Sequence, residues 1–300
     1  MMNFNMTFNQ DKNRWEVFSN GKMVGRSPNK VYLEKKFAKL GNVVDNVKQS
    51  VEKIDEFGIN KRFDFVTKMV DMVANKTIAS AIITGQGGLG KSHTVIKALK
   101  DKGFADVTDL ASFEEGTTIR SSKSFRIIKG FSTAKGLYRT LFEGNNMTLV
   151  FDDCDSVLKD PVALNILKGA LDSYSDRYIS WNSDMRDDDL PRSFKFQGTV
   201  VFISNMELDR IDQAIRSRAM CVDLSMTQSQ KIERMEVIAK SEEFLPEYDA
   251  NTKKLAIGFI KDIQDRVSNL SLRSLIATVK IAANGGEWKD LAKYVLTQGA

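Results

Sequence analysis

Residues 79–92 read Ala-Ser-Ala-Ile-Ile-Thr-Gly-Gln-Gly-Gly-Leu-Gly-Lys-Ser. An apolar run typical of a buried strand leads into the pattern G-x-x-x-x-G-K-[ST], and a segment of helical character follows. The glycines allow backbone N–H groups to surround phosphate oxygens, and the positive end of the helix dipole adds to the attraction. Lys91 would reach the β- and γ-phosphates of ATP, and the Ser92 hydroxyl would ligate Mg²⁺. The alternative is a glycine-rich turn without a ligand, and the flanking strand and helix argue against it.

The residues predicted to line the nucleotide site are Gly85, Gln86, Gly87, Gly88, Leu89, Gly90, Lys91, Ser92 and His93. His93 is the only histidine of the chain. A lone histidine at the start of this helix is more often a packing or supporting residue than a catalyst, so we assign it no chemical role.

A second apolar run, residues 148–151, ends in Asp152 and Asp153. A strand beside the phosphate loop needs a carboxylate at its end to hold the Mg²⁺ shell, and Asp152 fits this requirement. Asp153 would orient or deprotonate the attacking water. Glutamate usually has that role, and aspartate is one methylene shorter. Because residue 153 is aspartate and not glutamate, the sequence does not fix the rate of hydrolysis. Nucleotide binding is expected in either case.

A third apolar run, residues 200–204, ends in Asn205. An amide at this place would hold the lytic water against the γ-phosphate. An apolar strand that ends in Ser-Asn is a weak signal by itself. Its position, one strand–helix unit after the acidic strand, favours the functional interpretation.

Between residues 78 and 204 the chain alternates apolar runs with segments of helical spacing. This alternation predicts an α/β fold with a mainly parallel sheet and helices on both faces. After Leu224 the strand pattern stops, and residues 227–300 are predicted to form a helical lid. The predicted strands are residues 78–84, 124–128, 148–151 and 199–204, and the predicted helices are about 91–102, 133–143 and 161–175.

The N-terminal region is predicted to be a small β-hairpin and helix unit. Residues 14–18 have strand character, Asn20-Gly21 is a strong two-residue turn signal, and residues 23–25 would form the return strand. A helix would follow from Ser27-Pro28, and helical spacing is predicted over residues 43–75, with Gly58 between two runs. We therefore expect domains at 1–58, 59–225 and 226–300. Basic and aromatic residues permit DNA binding by the first domain, but an adaptor for an unknown partner is favoured.

Within this unit, Trp15 and Phe18 are spaced for burial against Tyr32 and Phe37.

The composition argues against a membrane-spanning protein and limits the possible partners. The 300 residues are 42% hydrophobic and 28% charged, and no run of about 18 apolar residues indicates a membrane span. A cytosolic location follows by elimination. Cys154 and Cys221 lie in apolar contexts without metal-ligand spacing and are expected to be reduced core thiols. The net charge of +5 permits a nucleic-acid partner without requiring one.

Taken together, these motifs resemble the AAA+ ATPase family over about residues 60–300. The resemblance rests on the phosphate loop, Asp152-Asp153, Asn205, the run Ala-Ile-Arg-Ser-Arg at 214–218, and Leu272-Arg273. It implies a P-loop NTPase core with a helical lid, ATP and Mg²⁺ as ligands, and assembly into a ring or helical oligomer. It also implies that Arg218, or alternatively Arg216, is an arginine finger that reaches the nucleotide of the neighbouring subunit. Arg273 resembles the lid arginine that senses the γ-phosphate within its own subunit.

Two further segments bear on the subtype. Residues 178–181 and 193–196, joined by a polar loop, look like the β-hairpin inserted before the sensor strand in one group of AAA+ proteins, although a plain surface hairpin is nearly as well supported. Phe131 with Lys129 stands where the family often places a loop facing the central pore, and a Phe packed under its own loop is the alternative. Residues 127–138 and 149–181 also resemble ATP-binding proteins of phages and other mobile elements.

Two functions follow from these expectations. The first is an oligomeric motor that couples ATP hydrolysis to remodelling or translocation of a protein or nucleic-acid substrate. The second is an ATP-dependent binding switch, such as a helicase or replication loader, in which hydrolysis is slow. Asp153 in place of glutamate is the feature that points to the second. A metabolic kinase fits neither the Ala-Ile-Arg-Ser-Arg run nor the helical lid.

Overall fold

The structure is a computed structural model that describes residues 2–9, 14–19, 22–27, 32–33, 36–37, 41–45, 56–109, 122–174, 176–182, 190–267 and 269–298. Contacts between residues divide the chain into two units, Met1–Glu56 and Phe57–Ala300.

The first unit contains a four-stranded sheet in the order β3-β2-β1-β4. Its strands are β1 (Met2–Asn9), β2 (Arg14–Ser19), β3 (Lys22–Ser27) and β4 (Gly41–Asp45). β1 and β2 are antiparallel, as are β2 and β3, whereas β4 runs parallel to β1. Residues 32–33 and 36–37 are helical. The small core consists of Met6, Val17, Leu33 and Phe37, with Trp15 packed against it.

The predicted hairpin of the first unit is confirmed, because Ser19 of β2 pairs with Lys22 of β3. The predicted turn, Asn20-Gly21, lies outside the described residues. The helical spacing expected from residue 43 is wrong at its start, since Val44 lies in β4 and pairs with Asn5 of β1. Tyr32 was expected to be buried but is 55% exposed, and Leu33 instead contributes to the core.

The second unit is built on a six-stranded sheet in the order β12-β5-β11-β8-β7-β6, and every neighbouring pair is parallel. The strands are β5 (Ser80–Thr84), β6 (Ala105–Asp106), β7 (Ser124–Lys129), β8 (Thr148–Asp152), β11 (Thr199–Ile203) and β12 (Met220–Asp223). A separate antiparallel pair, β9 (Tyr178–Ser180) and β10 (Ser193–Lys195), forms the predicted hairpin. The residues of the hairpin loop at 183–189 lie outside the described part of the chain.

The helices of this unit are α1 (Ile59–Ala74), α2 (Lys91–Asp101), α3 (Ala134–Glu143), α4 (Pro161–Ala170), α5 (Gln213–Arg216), α6 (Gln228–Ala239), α7 (Ala250–Ile263), α8 (Leu272–Ala283) and α9 (Trp288–Gln298). Side-chain oxygens cap several of them. Thr133 accepts from the backbone of Gly136, and Asp160 accepts from Val162 and Ala163 ahead of α4. These caps satisfy N–H groups that the first turn of a helix leaves without partners.

Helices cover both faces of the sheet, and successive residues of each strand point to opposite faces. Ala81 and Ile83 of β5 join the cluster that contains α1 and α2, while Ile82 joins the cluster that contains α3 and α4. The same alternation separates Val150 from its neighbours Leu149 and Phe151 in β8. The predicted α/β class, with a parallel sheet between two layers of helices, is confirmed.

Helices α6–α9 follow the sheet and share a core of their own. This cluster includes Met235, Ile260, Leu275 and Leu296. Arg234 stacks over the Phe63 ring of α1 with its guanidinium carbon 3.8 Å from the ring centroid, and so connects these helices to the sheet region. The predicted C-terminal helical region is therefore present. None of the helices in the described part of the chain combines the length and apolar character needed to cross a membrane.

Candidate functional site

The phosphate loop connects the buried strand β5 to α2. Three of its four glycines have positive φ angles, +134° at Gly85, +73° at Gly88 and +91° at Gly90, which residues with a side chain rarely adopt. At Gly85 a Cβ atom would also lie 2.9 Å from the backbone carbonyl carbon of Leu224. Glycine at this position therefore answers two needs, the backbone angle and the close approach of the chain segment after β12.

Lys91 is the first residue of α2, and its side chain folds back into the loop. Its Nζ donates hydrogen bonds to the carbonyl oxygens of Gly85 (2.6 Å) and Gln86 (2.7 Å) and to Asn205 Oδ1 (2.9 Å). Only 5% of the residue is exposed. Burial lowers the pKa of this ammonium, and the nearby carboxylates, Asp153 first, oppose that shift. A desolvated cation in a cradle of backbone is suited to a ligand with several negative charges.

Ser92 and Asp152 meet beside the loop. Ser92 Oγ donates to Asp152 Oδ1 at 2.8 Å. The second oxygen of this carboxylate lies 3.2 Å from Lys129 Nζ, at the end of β7. Asp152 is thus held on both sides and is 3% exposed. A hydroxyl and a carboxylate in contact at the end of a strand fit the ligand set that holds Mg²⁺ beside a bound triphosphate.

Asp153 and Asn205 form a second polar pair at the same edge of the sheet. Asn205 Nδ2 donates to Asp153 Oδ1 at 2.6 Å, while the other atom of the amide accepts from Lys91. Asp153 has a φ of +55°, which is uncommon for a residue with a side chain. Its backbone N–H donates to Ile203 O at 3.1 Å, which fixes this turn against the neighbouring strand. One amide therefore connects the lysine of the loop to the carboxylate that was predicted to act on water.

The helical region closes one side of the loop. Leu272 N donates to Gly88 O at 2.8 Å, and a Cβ on Gly88 would lie 3.2 Å from Ser271 Cβ. Arg273 lines the same cavity of about 340 Å³ as the loop, Asp152, Asp153 and Asn205. The structure thus brings Arg273 to the predicted nucleotide site, although it lies 121 residues after Asp152 along the chain.

A second cavity of about 670 Å³ begins at Gly90 and His93. α2 forms one wall, and α6 and α8 form the other, with Phe244, Leu245 and Ile276 as apolar surfaces. Lys97 of α2 and Glu243 bridge the two walls at 2.7 Å. His93 also lines the first cavity, so it lies where the two cavities meet. Among the described residues, its imidazole makes no hydrogen bond to a carboxylate.

Arg216 and Arg218 lie away from the loop of their own chain. Ser80 Oγ, at the start of β5, donates to Arg218 O at 3.1 Å, whereas the loop follows the other end of that strand. Arg218 Nη1 donates to Ala214 O at 2.9 Å. The Nε atoms of both arginines are buried without a hydrogen-bond partner among the described residues. Neither arginine can act on a nucleotide held by its own loop in this arrangement.

Two contributors to this site were missed by sequence reasoning. Lys129 was considered only as part of an exposed loop, although parallel pairing of β7 with β8 places it opposite Asp152. Ser271 and Leu272 contact Gly88, whereas the sequence pattern indicates only Leu272, as the neighbour of Arg273. The strand order would have revealed Lys129, whereas nothing in the local sequence around Ser271 indicates its contact.

Comparison with known proteins finds a relative by sequence and similarity to solved structures. The relative is from Enterobacteria phage T4 and is described as an uncharacterized 36.7 kDa protein in the nrdC–mobD intergenic region. It is 30% identical over 272 residues, which cover 84% of this chain and 78% of the relative. This chain belongs to the family of that phage T4 protein.

No protein-family model matches the chain. A variant of RuvB from Thermotoga maritima superimposes with a TM-score of 0.39 and 11% identity, covering 75% of this chain and 69% of that structure. A structural similarity this weak adds nothing to the family assignment. That assignment rests on the phage relative and on the residues of the site.

Proposed function

We propose that this chain is an AAA+ ATPase that binds ATP with Mg²⁺ and hydrolyses it as a ring or helical oligomer. The observation that carries the proposal is the environment of Lys91. Its desolvated ammonium lies among loop carbonyls and the Asn205 amide, within a backbone cradle in which three glycines have positive φ. The three hydrogen-bond partners of this ammonium are neutral oxygens. The loop fits a triphosphate because phosphate oxygens would give the ammonium negatively charged partners.

The residues around the loop would have different roles in phosphoryl transfer. Lys91 would hold the β- and γ-phosphates, and Ser92 with Asp152 would hold Mg²⁺, which neutralises charge on the phosphates when bound. Asn205 would position the attacking water, and Asp153 would accept its proton. Arg273 would contact the γ-phosphate from the helical lid and so report which nucleotide is bound.

The second cavity supports a nucleoside rather than a bare phosphate as the ligand. It opens from Gly90 and His93, and its wall on the lid side is apolar, with Phe244, Leu245 and Ile276. An adenine ring bound there would touch α2 and the lid at once. Nucleotide binding would therefore stabilise the contact between lid and core to which Leu272 and Gly88 contribute.

Oligomerisation is proposed because Arg216 and Arg218 are remote from the loop of their own chain. Both side chains are partly exposed, and at the far end of β5 they could reach a nucleotide on a neighbouring copy. An arginine supplied in trans is worth about 10³–10⁵ in rate in phosphoryl-transfer enzymes. We take Arg218 as the finger and Arg216 as the second candidate. Residues 59–225 would then be the nucleotide-binding core, and 226–300 the lid.

The proposed substrate is an extended protein or nucleic-acid chain. Phe131 follows Lys129 and Gly130 and is 81% exposed, which favours the interpretation as a contact loop over packing beneath its own loop. An exposed aromatic ring beside a lysine suits stacking on a base or gripping of a peptide. Protein and nucleic acid, DNA included, both remain candidates. The N-terminal unit is proposed to dock a partner, and the reduced thiols suit the cytosol.

A slow ATP-dependent switch is the second candidate, and Asp153 favours it. The carboxylate is short, and Asn205 already holds it at 2.6 Å. If Asp153 must leave Asn205 before it can accept a proton, basal turnover would be slow and a partner that breaks this bond would accelerate it. DNA or a loaded helicase are the partners that such a switch would serve.

The deciding experiment is ATP turnover by the wild-type chain, Asp153→Asn and Arg218→Ala, with particle size measured with and without ATP. Turnover and ATP-dependent oligomers for the wild type, with both variants binding ATP but not hydrolysing it, would support the motor. A wild-type chain that stays monomeric, and whose turnover is unchanged in Arg218→Ala, would refute the trans-acting arginine. Slow turnover that DNA or a partner stimulates would favour the switch.

A further inference from the structure

The helical lid carries a cleft that the proposed ATPase does not use. It lies between α6 and α7 and has a volume of about 770 Å³. Ala239 and Ile257, both buried, form its apolar floor together with Gly258. One face of α7, from Ala250 to Lys261, lines its length, which corresponds to about 17 Å of helix.

The rim of this cleft is basic. It contains four lysines and two glutamates, and Lys261 pairs with Glu236. After this pair is set aside, three lysines face one glutamate, Glu242, so the cleft keeps a net charge of +2. The remaining lysines are Lys240, Lys253 and Lys254.

Lys253 is the most informative of these residues because it is only 7% exposed. Its side chain lines the cleft, and among the described residues no acceptor lies within hydrogen-bond or salt-bridge distance of its Nζ. Its aliphatic stem is buried, whereas its ammonium is not among the buried polar atoms of the described residues and faces the open cleft. The cleft therefore presents an accessible cation on a fixed stem, and the described part of this chain does not pair it.

Gly258 is a second and independent indication. It lies in the interior of α7, where glycine is less favourable than alanine by about 1 kcal/mol. A Cβ at this position would meet nothing within 4 Å, so packing within the described chain does not require glycine there. Glycine in a helix lets another molecule approach the backbone closely.

We infer that this cleft binds an acidic, amphipathic helix of a partner protein. The apolar floor between two helices is suited to the apolar face of a third helix, which is a common mode of peptide recognition. Lys240, Lys253 and Lys254 would pair with carboxylates that flank that face. The apolar floor favours such a helix over a nucleic-acid backbone, which would leave Ala239 and Ile257 uncovered by apolar atoms.

The test uses a fluorescent peptide of about 15 residues, which as a helix is about as long as α7. The peptide carries Leu at helical spacing and Glu at the flanking positions, and a matched peptide carries Lys in place of Glu. Fluorescence anisotropy with the full-length chain should show saturable binding of the acidic peptide only. Raising NaCl from about 0.05 to 0.5 M should weaken this binding several-fold, because the charge pairs are screened.

Two variants connect the binding to the cleft. Lys253→Met keeps the aliphatic stem and removes the charge, and it should weaken the acidic peptide at least about tenfold. Gly258→Leu should place a side chain over the floor and abolish binding, while helix propensity keeps or raises the melting temperature. Lys280→Met, which removes an exposed lysine of α8 outside the cleft, is the matched control and should bind as the wild type does.

Several outcomes would overturn the inference. Failure of the acidic peptide to bind the wild-type chain is one, and undiminished binding by both Lys253→Met and Gly258→Leu is another. Single-stranded DNA could displace the peptide and bind more tightly than it does. If that DNA binding is also lost in Lys253→Met, the cleft is a nucleic-acid site. A change in the oligomeric state of Gly258→Leu would assign it to a second copy of this chain. ATP turnover enters none of these readouts, so this inference and the proposed ATPase can fail separately.

Discussion

Lys129 Nζ lies 3.2 Å from Asp152 Oδ2, and the two residues are opposite each other on the parallel strands β7 and β8. The lysine side chain is 64% exposed, whereas that of Asp152 is 5% exposed. In the proposed site this carboxylate holds Mg²⁺, so the ammonium provides positive charge at the place where the metal would provide it. Phe131 follows two residues later, which connects the metal site to the exposed loop.

Replacing this lysine should ease metal binding. In Lys129→Met the carboxylate of Asp152 has no competing cation, so the half-saturating Mg²⁺ concentration should fall roughly two- to fivefold, as expected for an ion pair with one exposed partner worth about 0.5–1 kcal/mol. Mn²⁺ binding in the presence of a non-hydrolysable ATP analogue measures this without turnover. Lys159→Met, at an exposed position, is the control, and equal metal affinity in both variants would contradict the competition.

The contact between loop and lid can be separated from backbone strain by two glycine variants. Gly88→Ala and Gly103→Ala both place a side chain at a positive φ, +73° and +78°, and both should lose about 1 kcal/mol of stability. Only at Gly88 would the new Cβ press on Ser271, because open space surrounds Gly103. We therefore expect weaker ATP binding by Gly88→Ala alone, measured by calorimetry. A similar loss of affinity in Gly103→Ala would show that strain, and not the lid contact, is responsible.

Asn205 should matter more for turnover than for binding. It joins Lys91 to Asp153, with distances of 2.9 and 2.6 Å. Removing this amide in Asn205→Ala leaves the water without its positioning group, and kcat should fall about 10²-fold, the size seen when a single polar group that stabilises a transition state is removed. ATP affinity should change little, since Lys91 keeps two carbonyl partners. Asn165→Ala, at an exposed position of α4, serves as control, and a large loss of ATP affinity in Asn205→Ala would assign the residue to binding.

The proposed action of Arg218 on the neighbouring subunit predicts complementation. Arg218→Ala and Asp153→Asn should each be inactive as pure oligomers. In a mixture, some interfaces pair an intact Asp153 on one subunit with an intact Arg218 on its neighbour, so part of the turnover should return. ATPase activity across mixing ratios measures this effect. Mixtures no more active than the two pure variants would place Arg218 outside the active interface.

Both thiols should react slowly while the chain is folded. Burial raises the pKa of the Cys154 and Cys221 thiols, and the reactive thiolate is therefore scarce at neutral pH. Labelling with a thiol-specific disulfide reagent should be slow at pH 7, should accelerate only at a pH above that needed for a free cysteine, and should reach both thiols quickly in denaturant. Rapid labelling of the native chain at neutral pH would show that one of the two is exposed.

Sequence reasoning was reliable where a short stretch determines its own conformation. The glycines of residues 85–90, the apolar strand before them and the helix after them are local features, and the structure has each of them where the pattern predicts. The alternation of strands and helices also predicted the parallel sheet. The first unit was less predictable, because β4 is short and its Val43 and Val44 suit a helix or a strand until β1 lies beside them.

The carboxyl ends of parallel strands lie at one edge of a sheet, so sequence alone could place Asp152, Asp153 and Asn205 in one neighbourhood with Lys91. It could not supply the strand order that puts Lys129 opposite Asp152, nor the docking of Ser271 and Leu272 on Gly88. Those contacts join residues far apart in the chain, and they depend on how whole layers pack rather than on local propensity. The conformation and the proposed chemistry of the glycine loop are therefore contained in the sequence, because they depend on a short stretch of chain. The tertiary structure decides which distant residues contact the loop and Asp152, because those contacts depend on the packing of whole layers.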